Sequence, residues 1–234
     1  MSLREWWHHP WNPIDGCSMG CPYCFAATFA RRFKKRFPNG FEHPQFHQNR
    51  LGVPANIRKP SRIFVSNMGD FWDPAIEDRK RLIVTNLMSI HRRHRFLILT
   101  KRPEFMNKAV LHTMGDNVWL GVTVDRPGTE WRLDFLRTLK LDTKGKFHLF
   151  VSYEPLLGPV KPVIHMVEWI VTGPMTNPVR QPEWAWVETI MKRADDAGVP
   201  LFMKTPLIPL LPLTIPVRQE YPPALKVRPE EINT

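Results

Sequence analysis

The chain has 234 residues, of which 33 are Lys or Arg and 22 are Asp or Glu, a formal net charge of +11. Hydrophobic residues make up 43%, enough for a sizeable core in one large domain or two small ones, while the absence of any run of about 18 apolar residues excludes a membrane-spanning helix. The basic excess favours a polyanionic partner, nucleic acid before others.

The chain opens on MSLREWWHHPW, which lacks the apolar stretch of a signal peptide. Trp6, Trp7 and Trp11 are too bulky to be left in water. Residues 10–15 are predicted as a short first strand delivering the stretch Gly16-Cys17-Ser18-Met19-Gly20-Cys21-Pro22-Tyr23-Cys24-Phe25. Phe25, Phe29, Phe33 and Phe37 then recur every four residues and predict one apolar helical stripe. Arg31, Arg32, Lys34, Lys35 and Arg36 on the same segment are five like charges within six residues, which repel one another and favour an anionic partner.

Residues 38–60 show no periodicity and are predicted as a long loop. Ile63-Phe64-Val65 is the next strand, ending in the polar turn Ser66-Asn67-Met68-Gly69-Asp70. Asp73-Pro74 is predicted to start a helix that buries Ile76, Ile83, Leu87 and Ile90. Phe96 to Leu99 form a strand running into Thr100-Lys101-Arg102. Val118 to Val124 form another, followed by a helix with Trp131, Phe135, Leu136 and Leu139 inward. Phe147 to Val151 lead into Ser152-Tyr153-Glu154-Pro155, and Trp169 to Val171 into Thr172-Gly173. A helix from Pro182 buries Val187, Ile190, Met191 and Ala194 and ends at Gly198. Leu201-Phe202-Met203 is a last short strand, with Lys204 at its end. Residues 205–234 form a proline-rich extension, set apart from a main domain over 1–204 and expected to wrap the surface or contact a partner.

Alternating short strands and helices predict an α/β fold with a parallel sheet closed or partly closed into a barrel of six or seven units. In such barrels the carboxyl ends of the strands form the active site. The cysteine loop, Asn67 to Asp70, Lys101, Thr123, Asp125, Ser152 to Glu154, Thr172 and Lys204 are thereby expected on one rim.

The loop holds all three cysteines of the chain, spaced C-x3-C-x2-C. An odd number packed this closely is poorly suited to disulfides and well suited to one metal centre. Three thiolates can hold three irons of a cubane cluster and leave the fourth without a protein ligand. A zinc knuckle completed by His8, His9, His43 or His47 is the alternative, and metal-free structural cysteines are a further one. With the cysteines reserved for metal, a cytoplasmic setting is expected, the host cytoplasm if the chain is phage-encoded.

The cysteine loop with its Tyr23 resembles the cluster loop of the radical S-adenosylmethionine (SAM) superfamily. Within it, the chain from Trp11 to about Lys204 is similar to a family common in phages and bacteria. That resemblance is carried by Trp11-Asn12-Pro13, Val65 to Asp70, Leu99 to Pro103, Val118 to Thr123, Glu154 to Pro159 and Ala197 to Pro200. The chain departs from the family pattern at Thr172-Gly173-Pro174-Met175 and at Lys204-Thr205-Pro206-Leu207, both on the substrate side.

The resemblance implies a partial (β/α)6 TIM barrel in which Cys17, Cys21 and Cys24 hold a [4Fe-4S] cluster. The cluster would bind SAM and, when reduced, cleave it to methionine and a 5′-deoxyadenosyl radical. Asn67, Met68, Gly69 and Asp70 would lie at the SAM amino group, Tyr23 at the adenine, Thr123 and Asp125 at the ribose, and Lys101 at the carboxylate. Tyr153 and Glu154 would face the substrate as catalytic residues. An electron donor such as a flavodoxin or ferredoxin is implied as a partner. The function expected first is modification of a nucleic-acid base, in phage-type DNA hypermodification such as rearrangement of a thymine side chain. Basic residues at 31–36, 58–62 and 92–95 would grip the DNA backbone. A radical SAM enzyme acting on a small metabolite or free nucleotide is the second expectation. A non-catalytic, metal-bearing nucleic-acid-binding module is the third.

Overall fold

The computed structural model describes residues 6–227. Seven parallel strands form one curled, half-barrel sheet in sequence order. They are β1 (His9–Trp11), β2 (Arg62–Val65), β3 (Arg95–Thr100), β4 (Val118–Thr123), β5 (His148–Tyr153), β6 (Trp169–Thr172) and β7 (Leu201–Met203). The helices of five residues or more are α1 (Phe25–Arg32), α2 (Asp78–Ile90), α3 (Lys108–His112), α4 (Trp131–Thr143) and α5 (Trp184–Ala197), and a single helical turn spans Val53–Asn56. The connection from β5 to β6 holds no helix, so the repeat is less regular than the sequence implies. None of the described helices is long and apolar enough to cross a membrane.

Strand alternation sorts the side chains into two cores. Ile63, Val65, Phe96, Ile98, Leu120, Val122, Leu149, Val151 and Ile170 pack toward the helices. Leu97, Trp119, Phe150, Trp169, Val171 and Phe202 line the opposite, concave face. Trp6 and Trp7 from one end of the chain, and Tyr221 and Leu225 from the other, fill that concavity.

The proline-rich segment takes part in this closure. Gln219 pairs antiparallel with Phe202. The Met203 N–H donates to the Arg218 carbonyl at 2.7 Å, and the Glu220 N–H to the Leu201 carbonyl at 3.1 Å. The outer edge of β7 is thereby covered.

Helix phases differ from the periodic reading. Residues 25–37 are not one helix: α1 ends at Arg32, and Lys34–Arg36 form a separate 3-10 turn. Phe25 and Phe33 are 50% and 53% exposed, whereas Ala26 and Ala30 are buried. The physical cause is the cap. Cys24 is the N-cap, its Sγ accepting from the Ala27 N–H at 3.4 Å, so the cysteine loop sets the helix rotation and turns the alanines inward.

Asp73 does not begin a helix; α2 starts at Asp78 and buries Arg81, Val84, Thr85 and Met88, leaving Ile83 and Ile90 exposed. The Arg81 guanidinium is drawn inward because it donates to the carbonyls of Phe71 and Asp73. In α4, Leu133, Leu136 and Leu139 face the core, while Trp131 and Phe135 pack edge to face against each other and stay exposed. In α5, Val187, Ile190 and Ala194 are buried and Met191 only partly, and Gly198 caps the helix at φ 61°. The expected strand over 10–15 is two pieces, β1 and Ile14–Asp15, the second pairing with Gln45–Phe46.

Candidate functional site

The loop that follows Asp15 is anchored at several points before its cysteines are reached. The buried Asp15 carboxylate lies 2.8 Å from His47 Nε2 and accepts from Arg50 Nη1 at 2.7 Å. Gly16 takes φ +81° and forms a parallel bridge with Gly69, accessible without strain because glycine has no Cβ. The Cys17 N–H donates to the Phe41 carbonyl at 2.7 Å. Both the N–H and the hydroxyl of Ser18 donate to Asp73 Oδ2 at 2.8 Å. Arg102 closes this clamp, donating to the Ser18 hydroxyl at 2.7 Å and to Asp73 at 3.0 Å.

The three cysteines are unpaired. All three line a cavity at the carboxyl ends of the strands, together with Tyr23, Ser66, Asn67, Asp70, Lys101, Thr123 and Glu154. They also line a second cavity on the other side of the loop, which reaches Arg31 and Lys34. Among the described residues no three His, Cys, Asp or Glu side chains are grouped closely enough to hold a metal ion.

Three thiols carried by one loop are a donor set that can hold a metal centre. Burial, then the charge of Asp70, pushes the Cys17 thiol up to about 12. Burial also raises Cys21, against the opposing pull of Lys101. Thiols so shifted keep their protons unless a cation binds and displaces them.

Ser66 supplies a separate sign of a missing partner. Its hydroxyl is buried and makes no hydrogen bond, at a backbone φ of 56° that costs a non-glycine residue roughly 1–2 kcal/mol. Buried hydroxyls are normally satisfied, and strain of this kind clusters at ligand sites.

The other site residues fall into distinct roles. Asn67 accepts from Asn12 Nδ2 at 2.8 Å, while Asn12 Oδ1 accepts from the Met68 N–H at 2.9 Å, which pins the turn after β2. The Asp70 carboxylate accepts from the Thr100 hydroxyl at 2.7 and 2.8 Å and from the N–H groups of Trp72 and Lys101. Burial raises its pKa, against these hydrogen bonds. The Lys101 ammonium lies 5.3 Å from the Tyr23 ring centroid, close enough for a cation–π attraction. The Tyr23 hydroxyl donates to Asp125, whose other oxygen accepts from Arg132 at 3.2 Å. The Tyr23 pKa is raised by burial and by this carboxylate.

Glu154 and Lys204 form an ion pair across Gly173, where a Cβ would stand 2.9 Å from the lysine chain. Thr123 and Glu154 line the cavity, as expected, but Met68, Tyr153 and Asp125 do not. Met68 packs with Ala26, Ala30, Phe37 and Phe41. Asp125 stands behind Tyr23. Tyr153 is buried in the core between sheet and helices, because it shares the strand parity of Leu149 and Val151; it does not face the substrate space.

Of the expected phosphate-binding residues at 58–62 and 92–95, Arg58 and Lys59 are exposed, while the arginines at 62, 92, 93 and 95 are engaged elsewhere. Arg62 is buried, donates to the Trp6 carbonyl and lies 4.0 Å from the Tyr221 ring. Arg93 donates to the carbonyls of Ala55 and Ile57, Arg95 to that of Ala224, and Arg92 pairs with Asp116. Arg62 and Arg95 begin β2 and β3 and so stand at the strand ends remote from the cavity. By contrast, Arg31 and Lys34 line the second cavity with the three cysteines, and Arg32, Lys35 and Arg36 stand around Phe29 and Phe33.

Sequence reasoning missed three groups. Asp73 reads as a helix cap and is instead a loop clamp. Arg132 lies one helical segment beyond Asp125 and carries no local signal. Thr28 accepts from Asn177 Nδ2 at 2.8 Å, tying α1 to the hairpin Met175–Thr176 and Val179–Arg180.

A family model described as "Protein of unknown function (DUF5131)" matches residues 2–206. The chain belongs to the DUF5131 family. The match contains every strand of the DUF5131 half-barrel and the whole cysteine loop. No curated protein and no solved structure matches the chain.

Proposed function

We propose that this DUF5131 protein is a radical SAM enzyme acting on a nucleic-acid base. The observation that carries the reading is the convergence of three unpaired cysteines from one loop on a cavity at the carboxyl rim of a parallel half-barrel. Cys17, Cys21 and Cys24 would hold a [4Fe-4S] cluster with SAM beside it, and the bound pair would supply reductive SAM cleavage and hydrogen abstraction from the substrate.

The chain's own residues bind and orient. Asn67, Asp70 and the orphaned Ser66 hydroxyl offer polar atoms to the amino-acid end of SAM. Lys101 offers a point cation to its carboxylate. Thr123 hydrogen-bonds the ribose, with Asp125 acting one step removed by holding the Tyr23 ring in place. Glu154, paired with Lys204, is the polar group left for the substrate. The cations at 31–36, with no acidic residue from 25 to 41, support a polyanionic substrate. The finer reading is hypermodification of DNA, with an electron donor of the flavodoxin or ferredoxin kind.

The test is anaerobic reconstitution with iron and sulfide, followed by assay for 5′-deoxyadenosine with SAM and a reductant. The parent should be brown and produce it; Cys17→Ala, Cys21→Ala and Cys24→Ala should each lose iron and activity. A colourless zinc protein, or full iron and activity in any one variant, would sink the proposal.

A further inference from the structure

Phe25 and Phe33, which α1 leaves exposed, and the half-buried Phe29 between them form a stepped row along its surface. Ring centroids are 6.3 Å apart between Phe25 and Phe29 and 4.4 Å between Phe29 and Phe33, with interplanar angles of 41° and 32°. Phe25 lines the cysteine cavity, so the row begins at its wall and runs outward. Around its far end stand Arg32, Lys35 and Arg36, the last 5.9 Å from the Phe29 ring. None of the five cations at 31–36 forms an ion pair with a carboxylate among the described residues; Arg31 donates only to the Thr28 hydroxyl.

Exposed aromatic rings are costly in water unless a partner covers them. Charge complementarity requires that partner to be anionic, and the row of rings requires it to offer flat apolar faces. Unpaired bases on a phosphate backbone combine both, and aromatic platforms inside a basic groove are how single strands are held without sequence preference. A duplex hides its base faces and could use only the cations. A lipid surface gives no reason for the row to end in a cavity wall.

We propose that the Phe25–Phe29–Phe33 row and its flanking cations bind single-stranded nucleic acid, stacking neighbouring bases outside while one base enters the cavity. This rests on the proposed function only for the fate of that base; the binding itself needs neither cluster nor SAM.

The experiment is fluorescence anisotropy of the full chain with labelled oligothymidylate, a duplex of equal length, and phosphatidylglycerol vesicles as competitor. Single strands should bind more tightly than duplex. Phe33→Ala should weaken single-strand binding roughly 5- to 150-fold while leaving duplex binding and the salt slope unchanged, and Phe33→Trp should restore it. Changing Arg32, Lys35 and Arg36 together to Ser should instead flatten the log–log salt slope, by about 0.7 for each lost contact to a single strand. Tighter binding of the duplex, an unaffected Phe33→Ala, a Phe33→Trp as weak as the alanine variant, or preferential capture by the vesicles would overturn the proposal. Intact strand binding in a protein that cannot cleave SAM would overturn the enzymatic reading and support this surface; SAM cleavage with no strand binding would do the reverse.

Discussion

Gly69 and Gly16 approach so closely that a Cβ on Gly69 would be driven into the Gly16 carbonyl oxygen. The contact is two-sided: the Gly16 N–H donates to the Met68 carbonyl at 2.9 Å, and the Gly16 carbonyl accepts from the Asp70 N–H at 3.2 Å. It joins the cysteine loop to the turn that carries Asn67 and Asp70, so the cysteines and the cavity wall are held together. Gly69→Ala is therefore expected to cost about 1–3 kcal/mol in stability and to impair iron uptake. Gly52→Ala, where a Cβ would meet nothing within 4 Å, is the control. Denaturant melts and iron content measured on both variants check this; normal iron in Gly69→Ala would refute it.

Ser66 is strained and its hydroxyl unsatisfied. Replacement by glycine removes both liabilities, so Ser66→Gly should raise stability by about 1 kcal/mol while weakening SAM binding. Paired thermal melts and isothermal titration would read the two effects. A variant less stable than the parent would show that the hydroxyl has a structural partner.

Asp70 and Lys101 should separate binding from folding. Lys101→Ala removes a cation that forms no ion pair among the described residues and should weaken SAM affinity with iron content and melting temperature unchanged. Asp70→Ala also leaves the Thr100 hydroxyl and two backbone N–H groups without their acceptor, so it should weaken both SAM binding and stability. Unchanged SAM affinity in both variants would mean that the amino-acid end of SAM lies elsewhere.

Asp73 acts through Ser18 and does not itself line the cavity. Asp73→Asn keeps the side-chain shape but loses the charge that Arg102 compensates, and should lower cluster occupancy after reconstitution and broaden its electron paramagnetic resonance signal. Arg102→Ala should reproduce the effect more weakly. A cluster spectrum in Asp73→Asn identical to the parent's would remove the clamp from the account.

His94 sets an acid limb of stability far from the site. Its Nε2 is 3.1 Å from the Pro54 carbonyl, while the buried Nδ1 has no partner, so a second proton would bring an uncompensated charge indoors. Burial, reinforced by the charge of Arg93, lowers its pKa from 6.5 to about 4. The unfolded chain then binds more protons than the native one between those values, so stability falls as pH drops from about 6.5 to 4 and levels off below. His94→Gln should flatten that limb in urea melts taken across the range; an unchanged slope would assign the limb to other groups.

Strand order, the place of the cysteine loop after the first strand and the polar rim at the strand ends were all legible in the sequence. Short buried runs alternating with helices are local patterns, and a parallel sheet built from them leaves little choice of where loops emerge. The expectation that Tyr153 faces the substrate overlooked its parity with Leu149 and Val151, which turns it into the core. Helix phase was not, because an i, i+4 aromatic row looks the same whether it faces a core or solvent. Only the tertiary structure decided it, through the Cys24 cap that turned Ala26 and Ala30 inward and Phe25 and Phe33 out. Contacts across long separations had no local trace either: Asp73 on Ser18, Asp125 on Tyr23, and Tyr221 on Trp169 in the concave face. Each joins residues with unrelated neighbours in the chain, and only the closing of the sheet brings them within bonding distance.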